Sequence, residues 1–169
     1  MQILNSTVSD IDEIFKLYNM ATALQKTIPS ATVWPEFDRG LIETEISENR
    51  QWKIVIEQQI VCVFATTFSD PQIWEERNID PSVYIHRIAT HSDFRGKNFV
   101  KTIVQWAKAY GKQHDKKFVR LDTIGGNDSL INYYQKSGFT YLGLSLLKNT
   151  DQLPSHYHNV LISLFEITI

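Results

Sequence analysis

Between Ser82 and Ile124 the chain reads "SVYIHRIAT", then a stretch with helical spacing, then "FVRLDTI". Two strand-like runs joined by a helix-length segment restrict the fold more than any other feature, because strands connected this way lie parallel with a right-handed crossover. The apolar spacing predicts a helix from about Asn98 to His114, with Phe99, Ile103, Trp106, Ala107 and Tyr110 facing inward. Upstream, "QILNST" predicts an opening strand and "SDIDEIFKLYNMATAL" a helix that turns Ile11, Ile14, Phe15, Tyr18 and Ala21 to one side, with Ser9 and Asp12 as its capping pair. "QKTIPSATVWPEF" has two prolines and no period, which predicts a loop; Asp38 then caps a second helix with Leu41, Ile42 and Ile46 inward. "WKIVIE" and "IVCVFATTF" around "QQ" predict a hairpin, and the polar segment from Ser69 to Ser82 a surface loop bordering a site. Beyond Ile124, "GGN" breaks the chain, "DSLINYYQKS" is a short helix ended by Gly138 in a left-handed turn, and "FTYLGLSLL" and "NVLISLFEITI" are closing strands. No repeat or linker interrupts this order, so the expectation is one α/β domain spanning residues 1–169, a mixed sheet with helices on its faces.

Composition narrows the function. A chain of 169 residues buries about 70% of its unfolded surface and needs neither disulfide nor metal for a core. A net charge of −2 gives no broad electrostatic footprint for nucleic acid. The one cysteine, Cys62, lies in an apolar run and reads as a small hydrophobe, in keeping with a reducing cytoplasm. The first residues have no basic segment followed by an apolar one, and no apolar stretch approaches the ~20 residues of a membrane span. The expectation is a cytoplasmic protein that binds neither nucleic acid nor membrane.

"FRGKNFV", residues 94–100, sits where the first of the parallel strands hands over to the helix. A tight turn opening a helix gathers unpaired N–H groups and the positive end of the helix dipole, which together suit an anion. Arg95 and Lys97 add charge, Gly96 permits close approach of backbone to a ligand, and Asn98 tolerates a left-handed conformation. The alternative is a solvated basic helix start.

With the strand "HRIATHSDFRGK" before it and "NDSLINYYQKSGF" after the next strand, the chain resembles the GCN5-related N-acetyltransferases (GNAT). The family's loop is usually Arg/Gln-x-x-Gly-x-Gly/Ala; with its Arg on Arg95, the two small positions fall on Asn98 and Val100, and both depart from the pattern. The later segment resembles the family's Asn-x-x-Ala-x-x-Phe/Leu-Tyr-x-x-x-Gly-Phe, with Leu130 in the Ala position. The resemblance spans the chain and is most specific from Tyr84 to Phe139. It implies a GNAT-like mixed, mostly antiparallel sheet with a central splayed parallel strand pair, flanked by helices, and acetyl-coenzyme A as cosubstrate.

Carried over position by position, the resemblance implies that Arg95, Gly96, Lys97, Asn98, Phe99 and Val100 hold the phosphates, mainly through backbone, with Lys101 and Thr102 adding contacts in the first helical turn. Val100 is expected to narrow the approach to the backbone. Ile88, Ala89 and Thr90 match the strand end that pairs with the pantetheine arm, and Asn127 matches the family's Asn. Tyr134, seven residues after Asn127, matches the tyrosine beside the coenzyme A sulfur, where a phenol protonates the leaving thiolate. Tyr133 is the neighbour to exclude.

The base is open. The position where histone-type members carry a Glu is Ser82. His86 resembles a histidine of serotonin N-acetyltransferase, and an imidazole titrating near pH ~6.5 suits the task; the alternative is a hydrogen-bonded interior histidine. Asp122 is the fallback, and its alternative is a structural partner of Arg87 or Arg120. Trp34, Trp74 and Tyr84 are candidates for the acceptor side, the two tryptophans reading equally well as loop anchors. His156 and His158 form a His-x-His without a third ligand, so no metal is expected. The expectation is an N-acetyltransferase acting on a primary amine of a small molecule or peptide by direct attack, with C-terminal edge strands leaving room for a homodimer. A non-catalytic coenzyme A-binding or sensor module is the alternative, motivated by Asn98 and Val100.

Overall fold

The computed structural model describes residues 1–29, 31–147, 157 and 160–169. The chain forms two compact units, Met1–Thr66 with His86–Phe99 and Thr67–Ile85 with Val100–Ile169.

In the first unit, β1 (Gln2–Asn5), β2 (Gln51–Ile56) and β3 (Gln59–Thr67) are antiparallel neighbours. The hairpin turn is Glu57–Gln58, one residue earlier than "QQ" suggests, and both residues have positive φ, 48° and 67°. That pair of left-handed residues matches the right-handed twist of the strands. Helix α1 (Ile11–Gln25) is entered through a short 3₁₀ turn, Val8–Asp10, so its capping box lies earlier than Ser9–Asp12: the Thr7 N–H donates to Asp10 at 2.7 Å. Asp10 also accepts a hydrogen bond from the Lys53 ammonium at 2.6 Å, and this partner on β2 fixes the choice. Helix α2 (Arg39–Ser47) is capped by Asp38, which accepts from the Leu41 N–H. Its inward face carries Ile42 and Glu45, whereas Leu41 is exposed. Ile11, Ile14, Leu17, Tyr18, Ile42, Val63 and Ala89 make the core, with Trp34 and Phe37 packed against it.

In the second unit, the start of β4 (Ser82–Thr90) pairs in parallel with β5 (Phe118–Ile124), Ser82–Tyr84 opposite Phe118–Arg120, and the crossover is helix α4 (Phe99–Gln113). β6 (Thr140–Leu146) and β7 (Leu161–Thr168) are antiparallel, and β7 pairs with β5 from Phe118–Thr168 to Ile124–Ile162. The strand order is β1-β2-β3-β4-β5-β7-β6, a mixed sheet of seven strands among the described residues, flanked by helices. The segment predicted as a surface loop is more ordered: it contains helix α3 (Pro71–Trp74) and a 3₁₀ turn, Glu75–Ile79, and it buries Ile73 and Trp74. Two apolar side chains in an otherwise polar stretch are too few to show a period. On α4, Trp106 and Tyr110 are only half-buried and stack on each other with centroids 4.8 Å apart. Helix α5 (Asp128–Lys136) is followed by Gly138 at φ 104°.

Arg120 is the second unit's buried cation. It donates to Glu166 and to Asp80, each at 2.7 Å, and to the Arg77 carbonyl at 2.6 Å. The rings of Trp74 and Phe118 lie 4.7 and 4.8 Å from its guanidinium carbon. Among the described residues, no helix is long and apolar enough to cross a membrane.

Candidate active site

Strand β4 changes character at His86. Arg87 has φ 50°, a left-handed residue inside a strand, so the simple alternation of faces from Ser82 onward ends there. Its guanidinium Nη2 donates to both carboxylate oxygens of Glu45, its Nε donates to the Tyr18 hydroxyl at 3.4 Å, and it lies 5.5 Å from the centre of the Phe37 ring. Burial and the positive charges of Arg87 and Arg50 push the His86 imidazole down to about 3. The imidazole expected to titrate near neutral pH is thus shifted well below it, which favours its neutral form. Ile88 and Thr90 are half-buried and Ala89 is buried. The Thr90 hydroxyl donates to the sulfur of Cys62 at 3.6 Å; burial pushes that thiol up to about 12.

The loop after β4 has the backbone its composition allows. Gly96 and Asn98 both take positive φ, 79° and 59°, and residues Arg95 to Asn98 are exposed. The Arg95 side chain donates to the Met20 carbonyl at 2.9 Å, which ties the loop to the last turns of α1. The buried Phe99 then opens α4, with Lys101 exposed and Thr102 half-buried. Val100 is 6% exposed.

In the second unit Asp122 stands on β5, and a carboxylate oxygen of Asp122 lies within 4.8 Å of one of Asp70. Burial and the neighbouring Asp70 raise Asp122 to about 7, against the hydrogen bond it accepts from Tyr157; burial likewise raises Asp70, to about 6. Burial first, then Tyr133 and Asp122, push the Tyr134 phenol far up. Tyr134 packs on Phe165 and Phe139 at 5.1 and 5.9 Å, while Tyr133 is exposed. The two tyrosines thus divide as adjacent helical residues must. The Asn127 side chain caps α5 by accepting from the Leu130 N–H at 3.1 Å.

The acceptor candidates fare differently. Trp34 meets Tyr18 and Phe37 edge-on at 6.0 and 5.7 Å, as a loop anchor does. Tyr84 is wholly buried and Trp74 is 2% exposed, their rings 5.6 Å apart in one apolar core. Both belong to this core, Trp74 as the last residue of α3. His156 and His158 lie outside the described residues. Sequence reasoning missed Glu45 and Asp70. Glu45 leaves a signal only in hindsight, as the acid three residues after the buried Ile42; Asp70 sits in "SDP", where helix capping is the simpler use.

A profile of the Acetyltransferase (GNAT) family matches residues 20–139. The chain is similar to the uncharacterized N-acetyltransferase YesJ of Bacillus subtilis (strain 168), 28% identical over 74 residues. That match covers 44% of this chain and 41% of the relative, well under half the relative's length. Its fold is similar to a GNAT family acetyltransferase from Listeria monocytogenes 4b F2365, with a TM-score of 0.79 at 20% identity over 99% of this chain and 94% of the other. It is also similar to yncA, a putative acetyltransferase from Salmonella typhimurium solved with acetyl-CoA, at a TM-score of 0.69 and 11% identity over 99% and 93% of the chains. With the family profile spanning well over half its length, this chain belongs to the GNAT acetyltransferase family.

Proposed function

We propose that the protein transfers the acetyl group of acetyl-coenzyme A to a primary amine of a small molecule or peptide, by direct attack without a covalent enzyme intermediate. The observation that carries this is the exposed turn Arg95–Asn98, with left-handed Gly96 and Asn98 leading straight into α4. Such a turn presents successive N–H groups at the positive end of a 15-residue helix. Its residues, with Phe99, Val100 and Lys101, hold the pyrophosphate, and the backbone of Ile88, Ala89 and Thr90 pairs with the pantetheine arm.

The amine nitrogen attacks the thioester carbon, the carbon–sulfur bond breaks, and one proton must leave the nitrogen while another reaches the thiolate. In this mechanism Asp122 takes the first, in place of His86. Its ordinary affinity for a proton is raised toward neutrality by burial and Asp70, which suits a base working near pH 7. Tyr134 supplies the second from a phenol that stays protonated until charge develops on sulfur. Returning the proton from Asp122 to Tyr134 restores both groups. Asn127 acts through its cap on α5, the helix that bears Tyr134.

Titration calorimetry with acetyl-coenzyme A, desulfo-coenzyme A and ATP tests the binding half, and thiol release against a panel of amines tests the transfer. Both coenzyme A species bind and ATP does not; at least one amine releases thiol. Gly96→Ala, which places a Cβ on a left-handed residue, weakens binding about fivefold, from a strain of ~1 kcal/mol. A wild-type protein that binds neither coenzyme A species sinks the proposal. Binding without turnover on any amine would leave a sensor.

A further inference from the structure

Arg87 is the one non-glycine residue of positive φ that lies inside a strand among those described; Asn49, Glu57, Gln58, Glu75, Asn98 and Asp115 lie at turns or element ends. An L-residue in that conformation costs roughly 1–2 kcal/mol, so something must hold it there. The side chain of Arg87 is gripped from three places: by Glu45 on α2, by Tyr18 on α1, and by the face of Phe37 in the loop between the two helices. Glu45 is itself 3% exposed and lies 3.7 Å from a second cation, Arg50. Removing Glu45 would leave the Arg87 guanidinium buried without its carboxylate, so the grip is stiff. The next three residues are Ile88, Ala89 and Thr90, whose backbone the proposed function uses. The direction in which their N–H and C=O groups point follows from the dihedral at residue 87.

We propose that Arg87 and Glu45 are positioning residues: the pair, held by α1 and α2, keeps residue 87 left-handed and thereby aims the backbone of Ile88–Thr90 at the acyl-coenzyme A arm. Arg87 touches no reacting atom in this scheme. The inference rests on the acetyl-coenzyme A reading above.

Glycine separates the conformation from the side chain, since it takes positive φ freely while alanine does not. In a Glu45→Gln background, which leaves no unpaired buried carboxylate, Arg87→Gly and Arg87→Ala both delete the guanidinium. The clamp predicts that the glycine double variant keeps the wild-type amide chemical shifts of Ile88–Thr90 and binds acetyl-coenzyme A within about threefold of Glu45→Gln alone. The alanine double variant moves those shifts and binds about 5- to 30-fold more weakly, the range that 1–2 kcal/mol corresponds to, with kcat at saturation close to that of the glycine form. Equal losses in both variants overturn the proposal, because the guanidinium itself would then matter and not the dihedral. If neither double variant folds, Glu45→Gln alone decides: shifted Ile88–Thr90 amides support the clamp and unmoved ones overturn it. The amide shifts are read without any ligand, so a wild-type protein that failed to bind acetyl-coenzyme A would defeat the functional reading while leaving the dihedral test intact.

Discussion

In the first unit Glu45 sits between Arg87 and Arg50, and burial, with the two guanidiniums, lowers the neighbouring His86 to about 3. In the second unit Asp70 and Asp122 face each other and Asp122 keeps its proton up to about pH 7, while the cation of that unit, Arg120, is committed elsewhere to Asp80 and Glu166. The first unit spends its buried charge on holding backbone. The second keeps its buried cation for stability and sets two carboxyls close together, both raised by burial, the pair on which the proposed proton transfer rests. Pairs of titratable groups driven in opposite directions by their surroundings mark acid and base roles.

The strongest way to break this contrast is Arg120→Leu. Two carboxylates lose their buried partner, so unfolding in urea should show a loss of about 3–5 kcal/mol, with turnover unchanged wherever the protein remains folded. A collapse of turnover at full foldedness would mean that Arg120 serves the chemistry as well. Next in size is Tyr134→Phe, expected to lower kcat on the order of 10²-fold while the acetyl-coenzyme A affinity holds, with Tyr133→Phe nearly silent. Equal losses would remove the distinction between the two tyrosines, and a loss confined to Tyr133→Phe would place the proton donor on the exposed one.

A further test is on pH and sharpens the contrast directly. His86 has a folded pKa below its unfolded one, so the stability tied to its neutral form is present above pH ~6.5 and is lost as pH falls through about 3. Asp122 has a folded pKa above its unfolded one, so its contribution is full below pH ~3.9 and is lost as pH rises through about 7. Each has a limiting slope of about 1.4 kcal/mol per pH unit. Between pH ~3.9 and ~6.5 the two slopes have opposite sign and offset each other, so denaturant melts across pH 4–8 should show stability falling with pH in His86→Gln and rising with pH in Asp122→Asn. Superimposable profiles for the two variants would erase the distinction between the units.

The sequence made the order of elements readable because each long element has its own period: α1 through Ile11, Ile14 and Tyr18, and the crossover through the Phe99, Ile103 and Ala107 face of α4. Departures occur where a distant partner decides. The cap of α1 lies at Thr7 and Asp10 because Lys53, 43 residues away, pairs with Asp10. The inward face of α2 includes Glu45 because Arg87, 42 residues on, needs a counter-charge. His86 reads as a base in the sequence because an unperturbed imidazole titrates near neutral pH; burial, then Arg87 and Arg50, lower it, and only the fold supplies the burial and brings Arg50 near. The loop at Gly96 and Asn98 was legible because left-handed residues are few in kind and both are among them.

Cys62 gives the molecule a chemical reporter. Wholly buried, with its thiol pushed up to about 12, it offers almost no thiolate to a disulfide reagent or a maleimide while the first unit is closed. As the sole sulfhydryl of the chain it is also free of competitors. Its labelling rate is thus a clock for the opening of the strand core around β3 and the end of β4. A cysteine introduced on the surface would accept a fluorophore alone, without prior removal of the native one.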